Sequence, residues 1–209
     1  MPRRFAIVAA VLFWLPPVCY PASAPPVPVI DCFGDSITAG YGVAPGHSYP
    51  DDLQSALDSR GYHYRVVNSG ISGNTTKDGV ERLKDVLRLH PAVAIVEFGG
   101  NDGLRGIPID VTRRNLGIIV STLLRSGSRV LLAGITLPPN YGADYIHQFD
   151  DMYRLVAAKY RVPLLPMLYD GVYNVPGAIQ QDGIHPTATG AELIARNFLP
   201  LLLPMLHKN

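Results

Sequence analysis

Ala92-Val93-Ala94-Ile95-Val96-Glu97-Phe98 runs directly into Gly99-Gly100-Asn101-Asp102-Gly103. A short, nearly all-apolar run bounded by glycines suits a strand covered on both faces, since neither face can be turned to water. Such strands belong to parallel sheets, whose neighbours are joined by crossover helices. Outward from this stretch the pattern repeats. Strands are predicted at Val27 to Phe33, Arg65 to Val67, Ala92 to Phe98, Val130 to Ala133 and Val162 to Leu165. Helices are predicted at Tyr49 to Ser59, Thr76 to Leu89, Val111 to Leu124, Asp144 to Tyr160 and Thr187 to Leu203. The helical spacing of Leu53, Ala56 and Leu57 supports the first of these, and that of Val80, Leu83, Val86 and Leu87 the second. Five βα units give an α/β fold: an open five-stranded parallel sheet with helices on both faces. The smallest common order is 2-1-3-4-5, which sets strands two, one and three side by side, with ligands beyond their carboxyl ends.

The 209 residues are 47% hydrophobic and 17% charged, enough for one core and one domain. A formal charge of +1 excludes a strongly basic nucleic-acid binder and an acidic disordered chain. At the amino terminus Arg3 and Arg4 precede the apolar run Phe5 to Leu15, and Ala22-Ser23-Ala24 follows. This is the pattern of a signal peptide, residues 1–24, leaving 25–209 as the mature domain of an exported protein, periplasmic or secreted. The apolar run is too short to cross ~30 Å of hydrocarbon, so no stable membrane anchor is expected. Val18 before Cys19 disfavours lipidation. Cys32 is then the single remaining cysteine, expected to pack as a small apolar residue in the first strand. A monomer is expected.

The three strands that meet at the switch point each end in a loop of glycines and small polar residues. These are Gly34-Asp35-Ser36-Ile37-Thr38-Ala39-Gly40, Ser69-Gly70-Ile71-Ser72-Gly73-Asn74-Thr75 and Gly99-Gly100-Asn101-Asp102-Gly103. Glycine lets the backbone turn sharply and present N–H groups, while Ser and Asn add one oxygen or one amide each. Near the carboxyl terminus Asp182-Gly183-Ile184-His185-Pro186 opens the last helix, at a spacing that lets the carboxylate reach the imidazole. Together these parts suit acyl transfer. Ser36 is a nucleophile if a base removes its proton; His185 is the imidazole beside a carboxylate; Asp182 would hold its tautomer. Oxyanion donors would be the Ser36 and Gly73 backbone N–H groups and the Asn101 amide.

Gly34-Asp35-Ser36, Gly73, Gly99-Gly100-Asn101-Asp102 and Asp182-Gly183-Ile184-His185-Pro186 resemble, in order, the four sequence blocks of the SGNH (GDSL) hydrolase family. The stretches 99–106, 137–142 and 182–186 are especially similar to the family's periplasmic thioesterase and lysophospholipase branch, and the match spans nearly the whole mature chain. The resemblance implies a flavodoxin-like three-layer α/β/α sandwich and a Ser36–His185–Asp182 triad. It also implies an oxyanion hole of Ser36, Gly73 and Asn101, with no metal and no cofactor. The substrate it implies is a small-molecule acyl ester or thioester, such as an aryl ester, acyl-CoA or lysophospholipid.

Leu104, Ile107, Ile109, Leu137, Tyr141 and Ile146 are expected to make an apolar rim that binds an acyl chain. Two features depart from the family pattern. Asp31 lies within the first strand and must be paired or solvated there, and Pro28 confines the start of that strand to a position before the ladder. His47, His63, His90, His147 and His207 read as solvated, with His147 close to the loop 137–142; Asp35 and Asp102 read as carboxylates that hold loops through backbone N–H groups. Two alternatives have different signatures. A carbohydrate O-deacetylase of the same family would need a sugar-stacking surface, yet the one tryptophan, Trp14, lies in the leader. A non-enzymatic, nucleotide-cradling protein would need a dinucleotide fingerprint, but Gly40-Tyr41-Gly42 is followed by Pro45 where the third glycine belongs.

Overall fold

A computed structural model describes residues 26–208, so the leader read at 1–24, with Trp14 and Cys19, lies outside the described residues. The strands are β1 (Val29–Gly34), β2 (Arg65–Asn68), β3 (Val93–Glu97), β4 (Arg129–Ala133) and β5 (Leu164–Leu165). All pairings are parallel, in the order β2-β1-β3-β4-β5. Ladder pairing starts at Val29. Pro28, which has no N–H to give, contributes its carbonyl to the Arg65 N–H at 3.0 Å.

The helices are α1 (Ser36–Ala39), α2 (Tyr49–Asp58), α3 (Thr76–Glu81), α4 (Leu83–Leu87), α5 (Gly100–Leu104), α6 (Ile109–Arg125), α7 (Ala143–Tyr160) and α8 (Ala188–Leu202). The sheet divides the core in two. On one side Ile30, Cys32, Val93, Ile95 and Leu131 pack with Leu53 and Leu57 of α2 and Ile194 and Phe198 of α8. On the other Phe33, Ala94, Val96 and Leu132 meet Leu116, Ile119 and Val120 of α6 and Phe149, Met152 and Tyr153 of α7. Alternate residues of one strand thus feed opposite cores, as the two-residue repeat of a strand dictates.

The structure differs from the sequence expectation at a few points. Val27 lies outside the first strand and is exposed. The helix expected over Thr76 to Leu89 is two helices, because Arg82 leaves helical geometry at φ −98°, ψ 7°. Asp31 is fully buried and half satisfied: one carboxylate oxygen accepts from Ser69 Oγ at 2.5 Å and the other has no partner. Burial pushes its carboxyl up to about 6, against the opposing effects of the Ser69 bond and the Arg82 charge.

Registry between β1 and β3 sets Gly34 beside Glu97. A Cβ at Gly34 would lie 2.0 Å from Thr38 Oγ1 and 2.6 Å from Glu97 Oε2, so only glycine leaves room for this carboxyl beneath the first loop.

Candidate active site

The loops after β1, β2 and β3 gather at one end of the sheet, where the segment before α8 joins them. Ser36 is the first residue of α1, and Asp35 caps that helix by accepting from the Ile37 N–H at 3.1 Å. Ser36 Oγ lies 2.8 Å from His185 Nε2. On the far side of the ring, His185 Nδ1 lies 2.6 Å from Asp182 Oδ2. The other Asp182 oxygen accepts from the Ile184 N–H at 2.9 Å and the His185 N–H at 3.0 Å, an arrangement open to the three-residue spacing. Burial acts to raise the Asp182 carboxyl, but these bonds and the His185 ring outweigh it and hold the group at about 2. Asp182 is therefore an anion at any ordinary pH.

Neighbours fix the His185 segment from behind. The Tyr169 hydroxyl donates to Ile184 O at 2.8 Å, and Gln180 Nε2 donates to Tyr41 O at 2.7 Å and Pro186 O at 2.8 Å. The Tyr41 ring rests on the His185 ring with centroids 4.6 Å apart. Nothing local in the sequence links Tyr41 to a histidine 144 positions on.

The remaining loops are cross-tied. Asn101 Nδ2 donates to Asp35 Oδ2 and to Asn74 O, each at 3.0 Å. Asp102 accepts from the Thr76 N–H at 2.8 Å and also from the Thr76 hydroxyl, joining the third loop to α3. Gly73 sits at φ +80°, a left-handed conformation natural to glycine, and its carbonyl accepts from Arg105 Nη2 at 2.9 Å. Arg82 spans two loops, donating to Gly34 O at 2.6 Å, Ser69 O at 2.7 Å and Asn74 Oδ1 at 2.6 Å while its guanidinium lies 4.4 Å from the Phe33 ring centre.

Ser36, Asn101 and His185 line a cleft of about 560 Å³. Its apolar wall comes from Leu104 on α5, from Ile135, Leu137, Pro138 and Pro139 after β4, and from Tyr169, Tyr173 and Ile184 before α8. Of the six rim residues expected from the sequence, the cleft takes in Leu104 and Leu137. Ile109 lines a separate groove with Tyr145, Ile107 and Ile146 stand outside the cleft, and Tyr141 ties the β4 loop down by donating to Leu104 O at 3.0 Å. Gly73 also lies outside the lining, connected to Asn101 through its neighbour Asn74. Tyr169 and Tyr173 were not legible as wall residues, since they stand in an irregular segment without periodicity; Ile184 was hidden inside the motif that carries His185. The other five histidines are exposed. No group of three or more His, Cys, Asp or Glu side chains suited to a metal ion occurs among the described residues.

Chemically, the geometry offers a hydroxyl next to an imidazole that is oriented by an anion, at the mouth of an apolar cleft. Known proteins are similar to this chain over most of its length. Esterase TesA of Pseudomonas aeruginosa is 42% identical over 174 residues, 83% of this chain and 87% of that protein. Thioesterase 1/protease 1/lysophospholipase L1 of Escherichia coli is 37% identical over 175 residues, 83% of each. The crystal structure of TesA superposes with a TM-score of 0.82 at 41% identity, covering 85% of this chain and 99% of that one. The sequence profile of the GDSL-like Lipase/Acylhydrolase family matches residues 32–193. With that match over most of its length, the chain belongs to the GDSL-like Lipase/Acylhydrolase family and is an enzyme of the serine esterase and thioesterase kind.

Proposed function

We propose that this enzyme hydrolyses acyl esters and thioesters through a covalent acyl-enzyme on Ser36. The observation that carries the reading is the unbroken relay from Ser36 Oγ to His185 Nε2 at 2.8 Å and from His185 Nδ1 to Asp182 at 2.6 Å. As Ser36 Oγ attacks the acyl carbon, its proton passes to His185 Nε2, and the Asp182 anion stabilises the imidazolium that forms. Negative charge develops on the acyl oxygen, toward which the Ser36 and Gly73 N–H groups and the Asn101 amide act as donors. Collapse expels the alcohol or thiol with the proton from His185; water then attacks the acyl-enzyme by the same route in reverse. Membership of a hydrolase family displaces the nucleotide-cradling alternative.

The apolar wall favours an acyl tail over a sugar, and the names of the relatives, esterase and thioesterase/lysophospholipase, accord with that. The test is turnover of p-nitrophenyl esters with acyl chains of two to twelve carbons by the wild type and Ser36→Ala. Each methylene withdrawn from water is worth ~0.8 kcal/mol, so kcat/KM should climb with chain length until the cleft is full. Ser36→Ala should be inactive and resist a serine-directed phosphonate. Retention of about a tenth of the wild-type kcat would remove Ser36 from its role. A steady decline from acetate onward would favour the carbohydrate deacetylase.

The enzyme is further read as an exported monomer without a stable anchor. No helix among the described residues is long and apolar enough to cross a membrane, and the leader pattern at 1–24 supports export. An exported form beginning near residue 25 is the expected signature, read by amino-terminal sequencing.

A further inference from the structure

Directly beneath Ser36 lies a second carboxyl that the acyl-transfer steps do not use. Glu97 ends β3 with only 1% of its surface exposed. Its Oε2 accepts from Thr38 Oγ1 at 2.8 Å and from the Asp35 N–H at 3.3 Å. Its Oε1 is buried and finds no donor. The Asp35 carboxylate stands next to Glu97, tied to it through the Asp35 backbone N–H. Two adjacent carboxyls, both buried, are costly to keep charged together, so one of the pair holds a proton.

The surroundings say which one. Asp35 accepts from the Ile37 N–H at 3.1 Å on Oδ1 and from Asn101 Nδ2 at 3.0 Å on Oδ2, so both of its oxygens face donors, as an anion requires. Glu97 has one edge that faces donors and one that faces none, which is the pattern of a neutral acid. We propose that Glu97 carries the proton on its unpartnered Oε1 and, accepting from the Asp35 N–H and the Thr38 hydroxyl through Oε2, is a positioning residue that fixes Asp35 and, through it, the Asn101 amide and the start of α1. The proposal rests on the reading of Asn101 as an oxyanion donor, and it gives that site a single buried negative charge where two would oppose a developing oxyanion.

Burial acts in the same direction on both groups: Asp35 is pushed up to about 6, and Glu97, with the Asp35 charge beside it, is pushed well above the carboxylate range. The charged and titratable groups around the pair are Arg82 and His185, which favour an anionic Asp35, and the phenols of Tyr49, Tyr153 and Tyr169. Burial pushes all three phenols up, so they remain neutral and add no charge.

Infrared spectroscopy of the protein with carbon-13-labelled glutamate tests the proton directly. At about pH 8, above the range where Asp35 takes up a proton, the wild type should show one label-sensitive C=O stretch of a protonated carboxylic acid, absent in Glu97→Gln. The same band should persist in Ser36→Ala, so a failure of the acyl-enzyme reading and a failure of the Glu97 proton are seen separately. Gln also presents one accepting and one donating edge. Glu97→Gln should therefore keep kcat within about threefold of wild type, whereas Glu97→Ala should lower it roughly tenfold or more with KM nearly unchanged. Absence of the band from the wild type, or a Glu97→Gln enzyme as impaired as Glu97→Ala, would overturn the proposal. Should Glu97→Ala fail to fold, the wild-type band decides alone.

Discussion

Asn101 has two amide hydrogens, and both are engaged: one on Asp35 Oδ2 and one on Asn74 O. Its amide can meet an oxyanion only by sharing or exchanging one of them, so its orientation is held by the same bonds that compete for it. This makes Asn101→Ala a double lesion. Loss of an oxyanion donor should lower kcat by on the order of 10² to 10³ with little change in KM. Loss of the donor to a buried carboxylate and a carbonyl should also lower stability by about 1–3 kcal/mol. Steady-state kinetics and thermal unfolding on the same preparation separate the two. Normal kcat with reduced stability would leave Asn101 with a structural role alone. The sequence showed that an amide stood after the third strand, because residue type alone marks a donor. It could not show the competition, since Asp35 and Asn74 lie 66 and 27 positions away.

Between β2 and β3 the apolar positions Val80, Leu83, Val86 and Leu87 describe one continuous helical face, yet the chain breaks at Arg82. Periodicity reports which face meets the core; it does not register that a polar residue is needed elsewhere. Here Arg82 satisfies Gly34 O, Ser69 O and Asn74 Oδ1, tying the loop that leads to Ser36 to the loop that carries Gly73. Arg82→Met keeps much of the stem but leaves two backbone carbonyls without this donor. It should reduce unfolding free energy by about 3 kcal/mol, seen as a lower urea midpoint at unchanged slope, and kcat should fall as the two loops loosen. A midpoint within about 0.5 kcal/mol of wild type would show the clamp to be unimportant. The strands were more legible than this break, because a strand buried on both faces has few sequences open to it. Apolarity alone extends the first strand to Val27, whereas the ladder shows that pairing begins at Val29.

Across the whole molecule the shifted carboxyls, Asp182 exposed and Asp31 and Asp35 buried, pull stability in opposite directions with pH. Asp182, held at about 2 against 3.8 when free, contributes stability that is present above pH 3.8 and is lost as pH falls through 2. Asp31 and Asp35, pushed up to about 6, do the reverse. Between 3.8 and 6 the folded chain binds protons at these two sites that the unfolded chain does not, so their contribution declines as pH rises through that window and their cost is complete above it. Asp31 isolates the effect, being outside the catalytic relay and half unpaired. Asn at this position can still accept from Ser69 Oγ and has no charge to bury. Asp31→Asn should thus gain on the wild type as pH rises, with calorimetric stabilities nearly equal near pH 4 and the variant ahead near pH 7.5. A shift of roughly two pH units at 1.36 kcal/mol each, in which the Arg82 attraction is already included, bounds the gain at ~3 kcal/mol. A difference that stays flat from pH 4 to 7.5 would mean that Asp31 does not titrate in this window and that the Arg82 charge keeps it ionised.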